Sequence, residues 1–444
     1  MRGTYRTLVA LAVPMVCQNF ITYSVTLADN LMVGQLGEAA INGLFMAAIV
    51  QFVLQMVLFG VESAMSVLAA QYWGKKDTGR IKDIVSVSMW ASLVIAAVAS
   101  VATFCLPWRI MGLLTSSPEA VAEGAKYLRA VSVSYLFFGA SQLLVRAMRS
   151  VEVVSIGLVN SIAALLVNVT LNYMLILGHW GAPAMGVVGA ALATDVSRVV
   201  ELVLALWFVL RFDTHLGLRM RDFLRWDRVI VRDLCVYGAP LMAGQLVWAL
   251  NKFTMRYIVG HFSPSSSAAV SIAENLDGLI WVGTVGLAGA MGIVTGKMIG
   301  AGETRLIRAY AKTMQLVFAA IGVASFLVVL LGGDLFVSFY KLEPGTIAAA
   351  RTFLLVLSFS VLGRSYQAPC LMGLVKAGGD TSFVFKNDTF WVFCWVLPSA
   401  IVAWKVFHAP DWVVYSFLLS DQLTKCAVAF VKINRFHWMK NLTR

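Results

Sequence analysis

Charge is what this sequence lacks most. Asp, Glu, Lys and Arg supply 13% of its 444 residues, about half the share in an average soluble domain, so a water-facing globular surface cannot be built from it. Cysteine is sparse and scattered. Cys17, Cys105, Cys235, Cys370, Cys394 and Cys426 show no CxxC or Cys/His spacing, which excludes a disulfide framework or a cysteine metal centre and leaves them as expected small core residues. Also missing are a nucleotide-binding loop, a hydrolase triad and a metal cluster; the glycine-rich "GLAGAMGIVTGKMIGAGE" has no phosphate-loop signature, and its glycines are expected to serve close helix packing. ATP is therefore not the expected energy source, no cofactor is expected, and the chain reads as a non-enzyme driven by an ion gradient. No small-residue cleavage site follows the first apolar run, which is expected to be retained.

What is present is apolar. Hydrophobic residues make up 59% and the mean hydropathy is +0.80, the composition of an all-α polytopic membrane protein. The net charge of +12 does not indicate a nucleic-acid partner, because the basic residues lie in short gaps between apolar runs. Twelve runs can cross about 30 Å of hydrocarbon: 8–34, 44–71, 83–108, 121–145, 153–178, 185–210, 234–260, 268–297, 312–339, 348–373, 384–405 and 411–433. Gaps on one side hold Lys75, Lys76, Arg80, Lys82, Arg146, Arg149, Arg219, Arg221, Arg225, Arg228, Arg305, Arg308 and Lys376; the others hold chiefly Arg109, Lys341 and Lys405. The positive-inside rule then puts both termini in the cytoplasm of a multi-pass plasma-membrane protein.

The sequence also repeats. An ungapped shift of 226 carries Pro14 onto Pro240, Gly34 onto Gly260, Gly60 onto Gly286, Gly74 onto Gly300, Thr78 onto Thr304 and Ser132 onto Ser358, and prolines and glycines holding one register across a half-chain argue for duplication. Six helices per repeat is an even number, so the expected architecture is two six-helix bundles related by a pseudo-two-fold axis along the membrane normal. The expected division is a first lobe at 1–211, a basic connector at 212–232, a second lobe at 233–433 and a tail at 434–444.

Polar groups inside the runs are the informative ones, since each needs a partner or a water-filled cavity. Asp29 in "TLADNLMVGQLGE" stands at membrane depth, where a carboxylate costs roughly 2.5 to 3.5 kcal/mol. Asn160, Asn168 and Asn172 on the fifth run are spaced four and eight apart and share a helix face. A carboxylate facing such amides suits a proton or Na⁺; the other reading is interhelical hydrogen bonding alone. Glu62 and the sixth-run group Thr194, Asp195, Arg198 and Glu201 complete the first half. In the second half, Glu274 and Asp277 share a face opposite the four-spaced pair Lys252 and Arg256, with Arg364, Asp388 and Asp421 on later runs. This set reads either as a self-neutralising ion-pair cluster or as a substrate or proton site. Pro14 and Pro240 are expected to bend the first and seventh helices.

The stretches "VPMVCQN", "ADNLMVGQLG", "AAQYWGKKDTGRIK", "GVVGAALAT", "YGAPLMAGQL" and "TGKMIGAGE", in this order and spacing, resemble the multidrug and toxic compound extrusion (MATE) transporters from end to end. The resemblance implies a V-shaped cavity between the bundles. It further implies efflux of amphiphilic, often cationic small molecules across the lipid membrane, in exchange for H⁺ or Na⁺ by alternating access; a monomer is expected. Asp29 falls at that family's first-helix acid, Asn168 and Asn172 at its fifth-helix polar pair, and Thr194 at its sixth-helix hydroxyl, together a cation-coupling site where Na⁺ would meet Asp29, Asn168 and Asn172. Two departures stand out: Asn172 occupies a place that is acidic in the archaeal branch, and the seventh helix lacks the Glu of the branch with a second-half site. The loop "YWGKKDTGRIKD" does not spell the major facilitator signature. A lipid-linked oligosaccharide or lipid flippase of the same superfamily, holding pyrophosphate with Lys252, Arg256, Arg198 and Arg364, is the alternative function.

Overall fold

The computed structural model describes residues 2–33, 36, 38–176, 178–340 and 343–443. Gly34 of the repeat pairing and Lys341 of the gap cations lie outside them. The helices are α1 (Arg2–Val33), α2 (Glu38–Gly74), α3 (Thr78–Cys105), α4 (Pro107–Leu114), α5 (Pro118–Val131), α6 (Ser134–Ser150), α7 (Ser155–Leu175), α8 (Val187–Arg211), α9 (Arg228–Val259), α10 (Pro264–Gly300), α11 (Thr304–Ser338), α12 (Pro344–Ala368), α13 (Thr381–Phe390), α14 (Leu397–Lys405), α15 (Asp411–Leu418) and α16 (Asp421–Arg435). No strand occurs among the described residues.

Among the described residues, each of the twelve apolar runs falls mainly on helix. Eight helices are long and apolar enough to cross a membrane by length and composition, and α5 with α6, bent by 55°, makes a ninth. The other three runs carry internal charge or breaks: Asp195, Arg198 and Glu201 in α8, a π-helical stretch at Trp391–Val396 between α13 and α14, and Asp421 and Lys425 in α16. The bend in the fourth run has a local cause. Ser132 and Ser134 donate their hydroxyls to the carbonyls of Arg129 (2.9 Å) and Val131 (2.6 Å), offering the backbone an alternative to the helical ladder at the break. A second π-helical stretch begins at Pro369, whose missing N–H interrupts the ladder after α12.

Two compact units emerge, Cys17–Met242 and Met1–Val16 with Ala243–Arg444. The boundaries fall inside α1 and α9 rather than in the 212–232 connector. Both come two residues after a proline, Pro14 and Pro240, and Val16 and Met242 are themselves 226 apart. The reason is packing at equivalent glycines. A Cβ on Gly60 would approach the Met242 Cα to 2.8 Å, and one on Gly286 would approach the Val16 Cα to 3.0 Å, so only glycine lets the leading segment of α9 rest on α2 and that of α1 rest on α10.

The connector is docked rather than loose. Ser86 donates its hydroxyl to the Phe223 and Arg225 carbonyls (2.9 and 2.7 Å), Trp90 donates to Phe223 (2.9 Å), and Lys82 donates to the Gly217 carbonyl and pairs with Asp222 (2.9 and 3.1 Å). Arg225 bridges Asp222 and Asp83 (2.9 and 3.3 Å), and Arg80 pairs with Asp227. The residues after α16 also fold back: Trp438 is fully buried, and Lys440 joins Lys432 on Asp380, each at 2.7 Å.

Cysteine placement differs from expectation. Only Cys370 is buried; Cys17, Cys105, Cys235 and Cys394 are exposed, because in a membrane helix an apolar residue faces lipid as readily as protein.

Candidate functional site

Within the Cys17–Met242 unit, α1, α5, α6, α7 and α8 converge on one polar cluster. Asn160, Asn168 and Asn172 all lie on the buried face of α7, as their spacing requires. The Asn172 amide nitrogen donates both to the Asp29 carboxylate and to Asn168 Oδ1, the latter at 3.0 Å. Asn172 therefore links the α1 acid to the α7 polar stripe. Thr194 donates its hydroxyl to the Ala190 carbonyl (3.0 Å) and meets the hydroxyl of Tyr127 on α5. Tyr127 lies within electrostatic reach of Asp29, Asp195 and Arg198, so it joins Thr194 to the neighbourhood of Asp29. The sequence reading missed Tyr127; a tyrosine in an apolar run gives no periodic signal of its own.

Asn160 serves a different partner. Its Nδ2 donates to the Glu201 carbonyl (3.0 Å), while the Glu201 carboxylate takes both oxygens to Arg198 (2.8 and 2.9 Å), whose guanidinium lies 4.7 Å over the Phe138 ring. Arg198 and Glu201 neutralise each other one helical turn apart. Among the described residues, neither Asp29 nor Asp195 has an ion-pair partner.

Two cations assigned to polar gaps have interior partners instead. Arg146 pairs with the buried Glu62 and stacks 4.4 Å over Phe59, and Arg149 donates to Gln18.

The second-half set is rearranged relative to expectation. Asp277 pairs not with Lys252 or Arg256 but bidentately with Arg364 on α12 (2.7 Å for one contact), beside Trp281. Lys252, Arg256 and Glu274 make no ion pair with any described residue, so the four residues do not form one neutralising cluster; Arg364, 87 residues beyond Asp277, takes the carboxylate through two guanidinium nitrogens. The remaining acids meet a lysine not singled out from the sequence. Lys425 lies 2.9 Å from both Asp388 and Asp421 and is almost wholly buried. Pro14 and Pro240 both lie inside continuous helices.

The MatE family model matches residues 14–174 and 240–390. The matched stretches begin 226 residues apart, at the two prolines of the duplication. The probable multidrug resistance protein NorM of Bradyrhizobium diazoefficiens is 26% identical over 407 residues, covering 90% of this chain and 86% of that protein. The probable multidrug resistance protein YoeA of Bacillus subtilis is 22% identical over 411 residues, covering 90% and 87%. Among solved structures, a MOP superfamily transporter from Pyrococcus furiosus superposes with a TM-score of 0.87 at 18% identity, over 99% of this chain and 97% of that one.

Proposed function

Since the chain belongs to the MatE family of transporters, we propose that it is a multidrug efflux antiporter exporting amphiphilic, often cationic compounds in exchange for H⁺ or Na⁺ held at Asp29. The observation that carries this reading is the Asp29–Asn172–Asn168 relay, a membrane-depth carboxylate held by an amide and paired with no described cation. Such a carboxylate favours an exchangeable cation, and Asn168 and Thr194 add hard oxygens nearby. With the cation bound, the cluster is neutral and its desolvation is offset. When it leaves, the charge must be met by water or by a cationic substrate, and alternating access links the two events. The basic gaps support cytoplasmic termini, which places cation entry on the outer side.

The flippase reading is not favoured. Of the four cations it would use, Arg198 and Arg364 are committed to carboxylates, which leaves only Lys252 and Arg256 for a pyrophosphate.

The test is ethidium efflux from oriented proteoliposomes under a pH gradient and, separately, a Na⁺ gradient. Wild type is expected to respond to at least one, and Asp29→Asn to insert normally yet lose gradient-driven efflux. Full coupling in Asp29→Asn would overturn the assignment.

A further inference from the structure

The 226-residue register places Thr194-Asp195 of α8 on Ser420-Asp421 at the start of α16. The two aspartates are repeat equivalents with opposite surroundings. Asp421 is fully partnered: Lys425, one turn along, lies 2.9 Å away, and Gln422 donates to Oδ1 at 2.8 Å. In the first half the place of Lys425 is taken by Val199, and Arg198 is committed through both contacts to Glu201.

Asp195 has no cationic partner among the described residues. The hydroxyl and amide of Ser134, at the start of α6, face its carboxylate, but Oδ1 is buried without a partner among the described residues. Two further buried polar atoms share this condition. The Tyr135 hydroxyl, on a side chain only 2% exposed, lies within electrostatic reach of Asp195. Asn172 Oδ1, on a residue 1% exposed, belongs to the amide that binds Asp29. Among the described residues, the ionisable groups facing this region are Asp29 from α1, Tyr127 from α5, Tyr135 from α6, and Asp195, Arg198 and Glu201 from α8. Three carboxylates thus meet one guanidinium among the described residues, and Asp195 Oδ1 is buried with no donor facing it.

We propose that Asp195 holds a second exchangeable monovalent cation, a proton or Na⁺, in the role that Lys425 fills permanently for Asp421. The inference rests on Asp29 carrying the first cation, and it assigns two cations to each transport cycle. A proton on Oδ1 neutralises the carboxylate directly; Na⁺ would take that oxygen as a hard ligand.

Charge counting tests it on the full-length protein in proteoliposomes with ethidium. Exchange of one monovalent drug cation for two cations moves one net charge per cycle, so a valinomycin-set potential of about 60 mV should shift the wild-type steady-state ethidium ratio about tenfold. Asp195→Asn, and Val199→Lys, which supplies a tethered ammonium one turn from Asp195, should both abolish that shift while gradient-driven efflux persists. Asp29→Asn should instead lose gradient coupling, so the two assignments fail separately. A pH gradient alone and a Na⁺ gradient alone distinguish the ions. Potential-independent exchange by wild type, or an unaltered shift in Asp195→Asn, would overturn the proposal; if Asp195→Asn does not fold, an unaltered shift in Val199→Lys overturns it in the same way.

Discussion

At the scale of single residues, charge pairing dominates. Lys425 is the shared cation of Asp388 and Asp421 in the second-half unit, and removing it leaves both carboxylates without its charge. Lys425→Met should cost about 3–5 kcal/mol, read as a fall in Tm, with much of it recovered in Lys425→Met/Asp421→Asn; an unchanged Tm in the single variant would contradict the pairing. Asp380, outside the membrane-spanning runs, is a pH reporter. Burial raises its carboxyl, but the Lys432 and Lys440 ammonium groups outweigh this and hold it below the usual carboxylate range. A lowered folded value means the stabilisation is complete above the unfolded value of about 3.9 and is lost as pH falls through the folded one. The Tm gap between wild type and Asp380→Asn should therefore be widest near neutrality and close below about pH 4. Of these residues, Asp388 and Asp421 were legible as intramembrane acids, and Lys425 was available by the same logic, four residues after Asp421 on one face. Arg364 as the partner of Asp277 was not, because nothing local relates helices 87 residues apart.

At the scale of elements, the buried α7 face and the helical character of all twelve apolar runs were legible, because periodicity and run length are properties of the chain alone. The α5–α6 bend and the π-helical stretches were not, since serine back-bonding and ladder slippage leave hydropathy unchanged. Pro14 and Pro240 each remove a ladder bond just before the chain changes unit. Pro14→Ala and Pro240→Ala should restore that bond, preserve or raise Tm, and lower ethidium efflux several-fold; undiminished efflux would argue against flexing of these helices. The docked connector makes its own forecast. Asp222 is held below the usual carboxylate range because, against the effect of burial, the Arg219 amide and the Lys82 and Arg225 cations favour its charged form. Asp222→Ala should release the connector, seen as faster tryptic cleavage at Arg219, Arg221 or Arg225, with α3 intact.

At the scale of the molecule, the duplication was readable in the sequence but its packing was not. Matching prolines and glycines mark equivalence; they do not say which half of the fold a segment joins. The leading residues of α1 belong to the second-half unit, and α9 through Met242 belongs to the first. A fragment ending at Arg211 therefore lacks part of its own packing, and so does its complement. Expressed separately, the fragments 1–211 and 212–444 should accumulate poorly in membranes; co-expressed, they should recover both yield and efflux. Normal yield of either fragment alone would show that the exchanged segments are dispensable for folding.

The reciprocal seats at Gly60 and Gly286 carry a historical consequence. A half-length ancestor with the same exchange would have lent its leading arm to a sister copy and received one in return, and so would have required a swapped pair before the genes were joined. Fusion made the pairing covalent and freed the copies from identity. One could then fix a lysine beside its aspartate while the other kept that place open, dividing labour between halves that began alike.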